Sequence, residues 1–113
     1  MSKYSIKAIL LKDCSYSNLA KKLLLDNKIN SNFVTIKQED KDIYKTDKIK
    51  TYPQIYLIKK YSYGNLLLGG CEDLNFIIDN FKNKEYDINK IKKFCDKYNW
   101  SKKSLLRLIE LIN

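Results

Sequence analysis

At 113 residues, with 44% hydrophobic and 31% charged side chains, the chain is long enough to bury one core, too short for two independent ones, and too apolar for wholesale disorder. Its formal charge of +9 comes almost entirely from lysine, Arg107 being the only arginine, so the guanidinium fork that reads phosphates and guanine edges is nearly missing and specific nucleic-acid recognition is not expected. The absence of histidine removes imidazole bases, Cys-His nucleophile pairs and the usual zinc sites, and Cys14, Cys71 and Cys95 are too few and too irregularly spaced for a disulfide framework.

No run approaches the roughly 18 apolar residues of a spanning helix, and Met1-Ser2-Lys3-Tyr4 lacks the apolar stretch of a secretory signal. The expectation is a cytoplasmic protein without membrane association, in a reducing compartment where thiols stay free. Heavy use of Lys, Ile, Asn and Tyr fits an AT-rich genome, such as that of a parasite or of a large virus acting in host cytoplasm.

Tyr4 to Leu11 carries Ile6, Ala8, Ile9, Leu10 and Leu11 in a nearly continuous apolar run, the pattern of a central strand buried on both faces. Lys12-Asp13-Cys14-Ser15-Tyr16-Ser17 interrupts it, and Leu19, Leu23 and Leu24, with Ala20 alongside, return at helical spacing to near Lys28. After a polar turn, Phe33-Val34-Thr35-Ile36 reads as a second strand, parallel to the first through a right-handed crossover. The charged segment from Glu39 to Lys50, with Ile43, Tyr44 and Ile49 as its apolar points, is read as a short, mostly exposed helix.

Thr51-Tyr52-Pro53 holds the only proline and precedes Gln54-Ile55-Tyr56-Leu57-Ile58, a strand whose first position tolerates a residue without an N–H. A turn at Tyr61-Ser62-Tyr63-Gly64-Asn65 leads into Leu66-Leu67-Leu68 as a β-hairpin. Gly69-Gly70 ends that strand, and Cys71-Glu72-Asp73 opens an amphipathic helix with Leu74, Ile77, Ile78 and Phe81, its acidic pair suiting the positive end of the helix dipole. The order β-α-β-α-β-β-α over residues 1–82 predicts an α/β fold with a four-stranded mixed sheet flanked by helices.

Residues 83–113 are read as a C-terminal helical extension packed on or appended to that unit. Asp87 caps one helix, with Ile88, Ile91, Cys95 and Tyr98 on or near one face, and Ser101 caps a second with Leu105, Leu108, Ile109 and Ile112. The preferred reading of the tail's lysines, Phe94, Tyr98 and Trp100 is a cover over the core with Trp100 as packing anchor. The alternative is a basic, aromatic surface that docks an acidic partner or a nucleic-acid backbone.

Three short signatures stand in order: Cys14-Ser15-Tyr16-Ser17 between the first strand and helix, Thr51-Tyr52-Pro53 before the third strand, and Gly69-Gly70-Cys71-Glu72-Asp73 between the fourth strand and the next helix. Together they resemble the glutaredoxin family, with its Cys-Pro-Tyr-Cys or Cys-X-X-Ser, Thr-Val-Pro and Gly-Gly-Cys-Asp-Asp motifs. The resemblance covers about residues 4 to 82. It implies a thioredoxin-like fold and a glutathione-dependent thiol-disulfide oxidoreductase, with glutathione as co-substrate, acting on glutathionylated or disulfide-containing proteins as a monomer. Cys14 would be the nucleophile, and Ser17, in place of a resolving cysteine, implies a single-thiol mechanism. Pro53 would be cis beside the thiol, Thr51 and Tyr52 would pair with the glutathione backbone, and Gly70, Cys71, Glu72 and Asp73 would receive its γ-glutamyl end.

Tyr16 would flank the sulfur, and Lys12, or Lys50 or Lys41 in its place, would hold the glycine carboxylate. Cys71 is read as a small buried residue whose N–H faces ligand, with a resolving thiol as the alternative. A [2Fe-2S] cluster shared between two protomers is the less favoured reading, because cluster-holding relatives show Cys-Gly-Phe-Ser, and no metal ligands are otherwise assigned. A third is a redox-inactive protein of the same fold that works through its basic tail. Cys14 also stands on its own chemistry: a cysteine just before a helix faces exposed N–H groups that favour thiolate.

Overall fold

The computed structural model describes residues 3–60, 64–84 and 86–113. The elements are β1 (Tyr4–Leu11), α1 (Ser15–Asp26), β2 (Ser31–Ile36), β3 (Gln54–Lys59), β4 (Asn65–Gly69), α2 (Cys71–Phe81), α3 (Ile88–Tyr98) and α4 (Lys102–Ile112), with single 3-10 turns at Gln38–Asp40 and Lys82–Lys84. β1 lies inside the sheet, as its unbroken apolar run requires, with Ile6, Ala8, Ile9 and Leu10 buried. It pairs parallel with β2 and antiparallel with β3, and β3 pairs antiparallel with β4, giving the order β2-β1-β3-β4. This α/β arrangement, a four-stranded mixed sheet flanked by helices, is compatible with a thioredoxin-like fold carrying C-terminal helices. The β3–β4 pairing runs through Ile58↔Asn65 and Leu57↔Leu66, while residues 61–63 of the turn read from the sequence lie outside the described residues.

Three expectations are corrected. Glu39 to Lys50 is not a helix: one 3-10 turn at Gln38–Asp40 gives way to turns and bends. Thr46 is the physical reason, because its Oγ1 accepts the N–H groups of Lys48 (3.2 Å) and Ile49 (3.1 Å) and so offers the backbone a local partner in place of a helical one. Leu19 is exposed, and α1 instead buries Ser17, Ala20 and Leu24, spaced at three and four residues. Ile88 is exposed at the start of α3, where Ile91 and Phe94 face the interior.

The predicted caps of the last two helices are present: Asp87 Oδ1 accepts the Lys90 N–H at 2.9 Å, and Ser101 Oγ accepts that of Ser104 at 3.1 Å. Both helices share the buried cluster of the sheet, in which Phe94, Trp100, Leu105 and Leu108 join Ile6, Ala8 and Leu10 of β1 and Leu74, Ile77 and Phe81 of α2. Each such large apolar side chain contributes about 1.5–3 kcal/mol on burial. The Phe94 ring stacks on Tyr98 at 4.4 Å and meets Phe81 and Trp100 edge-on at 6.0 and 5.3 Å. Lys82 Nζ donates to the carbonyls of Ile112 (2.6 Å) and Asn27 (3.3 Å), placing a cation where α4 and α1 present their negative ends. Among the described residues no helix is long and apolar enough to cross a membrane.

Candidate active site

β1 ends at Leu11 and α1 begins at Ser15, so Cys14 occupies the position just before the helix, with extended backbone angles (φ -108°, ψ 122°). The turn is tight: the Cys14 N–H donates to the Leu11 carbonyl at 3.3 Å, and Asp13 takes a left-handed φ of 63°. Aspartate is among the few residues that adopt this conformation readily. Cys14 is a free, half-buried thiol. Its pKa is lowered from the ordinary 9.0: burial, the largest single influence, opposes the thiolate, but hydrogen bonds from the Ser17 hydroxyl, the Ser17 N–H and the Tyr16 N–H together outweigh it.

Ser17 is placed to do this. It is 1% exposed, and its Oγ accepts the Leu11 N–H at 3.0 Å, which leaves the hydroxyl hydrogen for the Cys14 sulfur. The Ser17 side chain therefore also stabilises the charge on Cys14.

An open groove of about 680 Å³ lies alongside, lined by Tyr16, Lys48, Ile49, Thr51, Tyr52, Leu67, Leu68, Gly69, Gly70, Cys71, Glu72 and Asp73. It brings together Tyr16, Thr51, Tyr52, Gly70, Cys71, Glu72 and Asp73 from three stretches of the chain that are well separated in sequence. The Tyr52–Pro53 bond is cis and Pro53 is buried. A Cβ on Gly70 would sit 3.6 Å from the Pro53 carbonyl oxygen, so the two signature loops touch. Cys71 is buried, and its thiol is pushed up by burial first, then by the Glu72 carboxylate, then by a charge on Cys14. The two sulfurs thus share one electrostatic neighbourhood.

Lysine placement departs from expectation. Lys12 is exposed and is fixed through its backbone, its N–H donating to Ile36 O at 2.8 Å and its carbonyl accepting from Gln38 Nε2 at 2.8 Å. Lys41 contributes its carbonyl, which accepts the Tyr52 hydroxyl, and Lys50 is exposed. Among the described residues the lysine that lines the groove is Lys48. The Thr46 turn, closed by Thr46 N–H to Ile49 O at 2.8 Å, presents it there. A helix reading of this segment hides that turn.

No protein-family model matches this chain, and no curated protein matches it. What the groove can bind is set by its own donors and acceptors.

At its far wall α2 begins on Gly70, which has no side chain to cap the first turn. The leading N–H groups of a helix have no carbonyl ahead of them, so this end is a cradle for an anion. Asp73 reaches back, its Oδ2 accepting the Gly70 N–H at 2.8 Å. Gly69 makes room for it: at φ 140° a side chain is strained, and a Cβ there would collide with the Asp73 carboxylate. Asp73 Oδ1 accepts the Tyr98 hydroxyl at 2.6 Å, a contact from α3 that joins residues 25 apart. Tyr98 stays a neutral donor, because burial first, and then the bond to Asp73 and its charge, push its pKa well up from 10.0. Sequence reasoning placed Tyr98 near the buried face of its helix but had no local signal for this partner.

Cys95 lies on α3, outside the groove lining, and burial and then Asp96 push its pKa up. Among the described residues no cluster of three or more His, Cys, Asp or Glu side chains is disposed to hold a metal ion.

Proposed function

We propose that this protein is a glutathione-dependent thiol-disulfide oxidoreductase of the single-thiol type, with glutathione as co-substrate and glutathionylated proteins or small disulfides as substrates. The observation that carries the reading is Cys14: a half-exposed thiol with a lowered pKa, held before α1 by Ser17, two residues ahead of Tyr16, which lines a groove that runs to the first residues of α2, and close enough for its charge to act on Cys71 in that groove. The γ-glutamyl end of glutathione bears a carboxylate and an ammonium. The first suits the N–H groups of Cys71, Glu72 and Asp73, and the second suits the Asp73 and Glu72 carboxylates. Lys48 is the cation available for the glycine carboxylate.

The chemistry balances with thiols alone. The Cys14 thiolate attacks the glutathione sulfur of a mixed disulfide, forming a Cys14–glutathione disulfide as the substrate thiolate departs and takes a proton from water. A second glutathione thiolate attacks that glutathione sulfur, releasing oxidised glutathione and restoring the Cys14 thiolate. Ser17 cannot close a disulfide, so the second glutathione is required. Such turnover belongs in a reducing compartment such as the cytoplasm.

The test is turnover of a glutathionylated peptide together with mass spectrometry after incubation with oxidised glutathione. One adduct of glutathione on Cys14 is expected, with turnover falling at least about 100-fold in Cys14→Ser, since the nucleophile itself is removed, and largely kept in Cys71→Ser. Unchanged turnover in Cys14→Ser would sink the assignment, and a Cys14–Cys71 disulfide would replace the single-thiol scheme with a two-thiol one.

A further inference from the structure

We propose that Tyr98 is a positioning residue for glutathione, holding the Asp73 carboxylate in the orientation that receives the ligand's ammonium group, so that α3, the first helix of the C-terminal extension, forms part of the binding site. This rests on the functional reading above and deepens it. The two oxygens of Asp73 are each held by a separate donor, Oδ2 by the Gly70 N–H at 2.8 Å and Oδ1 by the Tyr98 hydroxyl at 2.6 Å. Both donors are neutral, so the carboxylate is oriented without being neutralised. Among the described residues the ion pairs are Lys45–Asp42 and Arg107–Glu110, which leaves the charge of Asp73 for a cation from outside. Each oxygen keeps a second acceptor direction, and Asp73 borders the groove.

Tyr98 is itself rigidly placed. Its ring stacks on the buried Phe94 at 4.4 Å, and the indole Nε1 of Trp100 donates to the Leu67 carbonyl at 3.1 Å, fastening the end of α3 to β4 beside the same groove. The hydroxyl is held at one point by packing, which is what a positioning donor needs. An unordered aspartate would lose conformational freedom on binding the ammonium, whereas this one is already set.

The discriminating experiment compares Tyr98→Phe with wild type on two thiols, glutathione and its deaminated analogue, in which the ammonium is replaced by hydrogen. For glutathione the variant is expected to raise KM about five- to tenfold, the size of one ordinary hydrogen bond, with kcat within about twofold. For the deaminated analogue KM should not change. In Asp73→Asn the preference for glutathione over the analogue should vanish, and adding Tyr98→Phe should cost nothing further in that preference, as residues acting through one group require. Equal loss for both thiols would reduce Tyr98 to a structural role and overturn the inference, as would no loss for either. Wild-type protein that turns over neither thiol would instead overturn the functional reading, and this inference with it.

Discussion

Cys14 and Cys71 stand one position apart relative to their helices, Cys14 just before α1 and Cys71 as the first residue of α2, each helix following a strand, and their thiols are driven in opposite directions. Burial works against the thiolate at both. At Cys14 it is overcome by the Ser17 hydroxyl and two backbone N–H groups, whereas at Cys71 it is reinforced by the adjacent Glu72 and by Cys14 itself. A helix N-terminus is therefore not sufficient to activate a thiol. Local donors decide the sign, and only one side of this groove supplies them to sulfur. The other side lines the groove with the first residues of α2, the Asp73 carboxylate among them.

Gly69→Ala should separate the two ends most sharply. Its Cβ collides with the Asp73 carboxylate at a backbone angle that alanine resists, so a loss of about 1–3 kcal/mol in folding stability is expected. Urea unfolding should show that loss, and calorimetric titration should show glutathione binding weakened, while the alkylation rate of Cys14 stays near that of wild type. Loss of Cys14 reactivity in parallel would mean that the two helix ends are not independent.

Ser17→Ala acts on the other end. Removing the hydroxyl takes away the thiolate's side-chain donor and leaves the half-buried Leu11 N–H without its acceptor, at a cost of about 1 kcal/mol. In wild type the pH profile of alkylation should rise with a midpoint below 9.0, because a lowered pKa keeps thiolate present to lower pH. In the variant the midpoint should move upward and the rate at neutral pH should fall severalfold. The same linkage gives Cys14 a stabilising contribution present above pH 9.0 and lost as pH falls through its folded pKa. An unmoved midpoint would assign the shift to the backbone alone.

Glu72→Gln should have the smallest effect. It removes the second influence that pushes Cys71 up while leaving its burial intact, so the Cys71 thiol should move downward but remain the less reactive of the two. Alkylation of Cys71 in a Cys14→Ser, Cys95→Ser background reads this without interference. A Cys71 that became as reactive as Cys14 in wild type would show that acidity of the neighbour, and not burial, keeps it silent.

Much of this site was legible along the chain because its parts are short and local. A cysteine before a helix, a proline before a strand and a glycine pair before an acidic helix start each announce a backbone feature within a few residues. β1 was equally plain, since burial on both faces demands an unbroken apolar run. Glu39 to Lys50 misled because three apolar residues in a charged stretch fit a helical face, while the competing Thr46 hydroxyl is one atom that periodicity does not register.

Sequence by itself determined the four strands and their order along the chain, the caps of α3 and α4, and the residues that could carry thiol chemistry, all of which follow from spacing and side-chain type within a turn or two. Tertiary structure alone decided which lysine meets the groove, that Ser17 donates to Cys14 while accepting from Leu11, and that Tyr98 reaches Asp73 across residues 25 apart. Those contacts depend on where packing brings distant backbones to rest. No local pattern encodes them, because a hydrogen bond is sensitive to tenths of an ångström and a sequence motif is not.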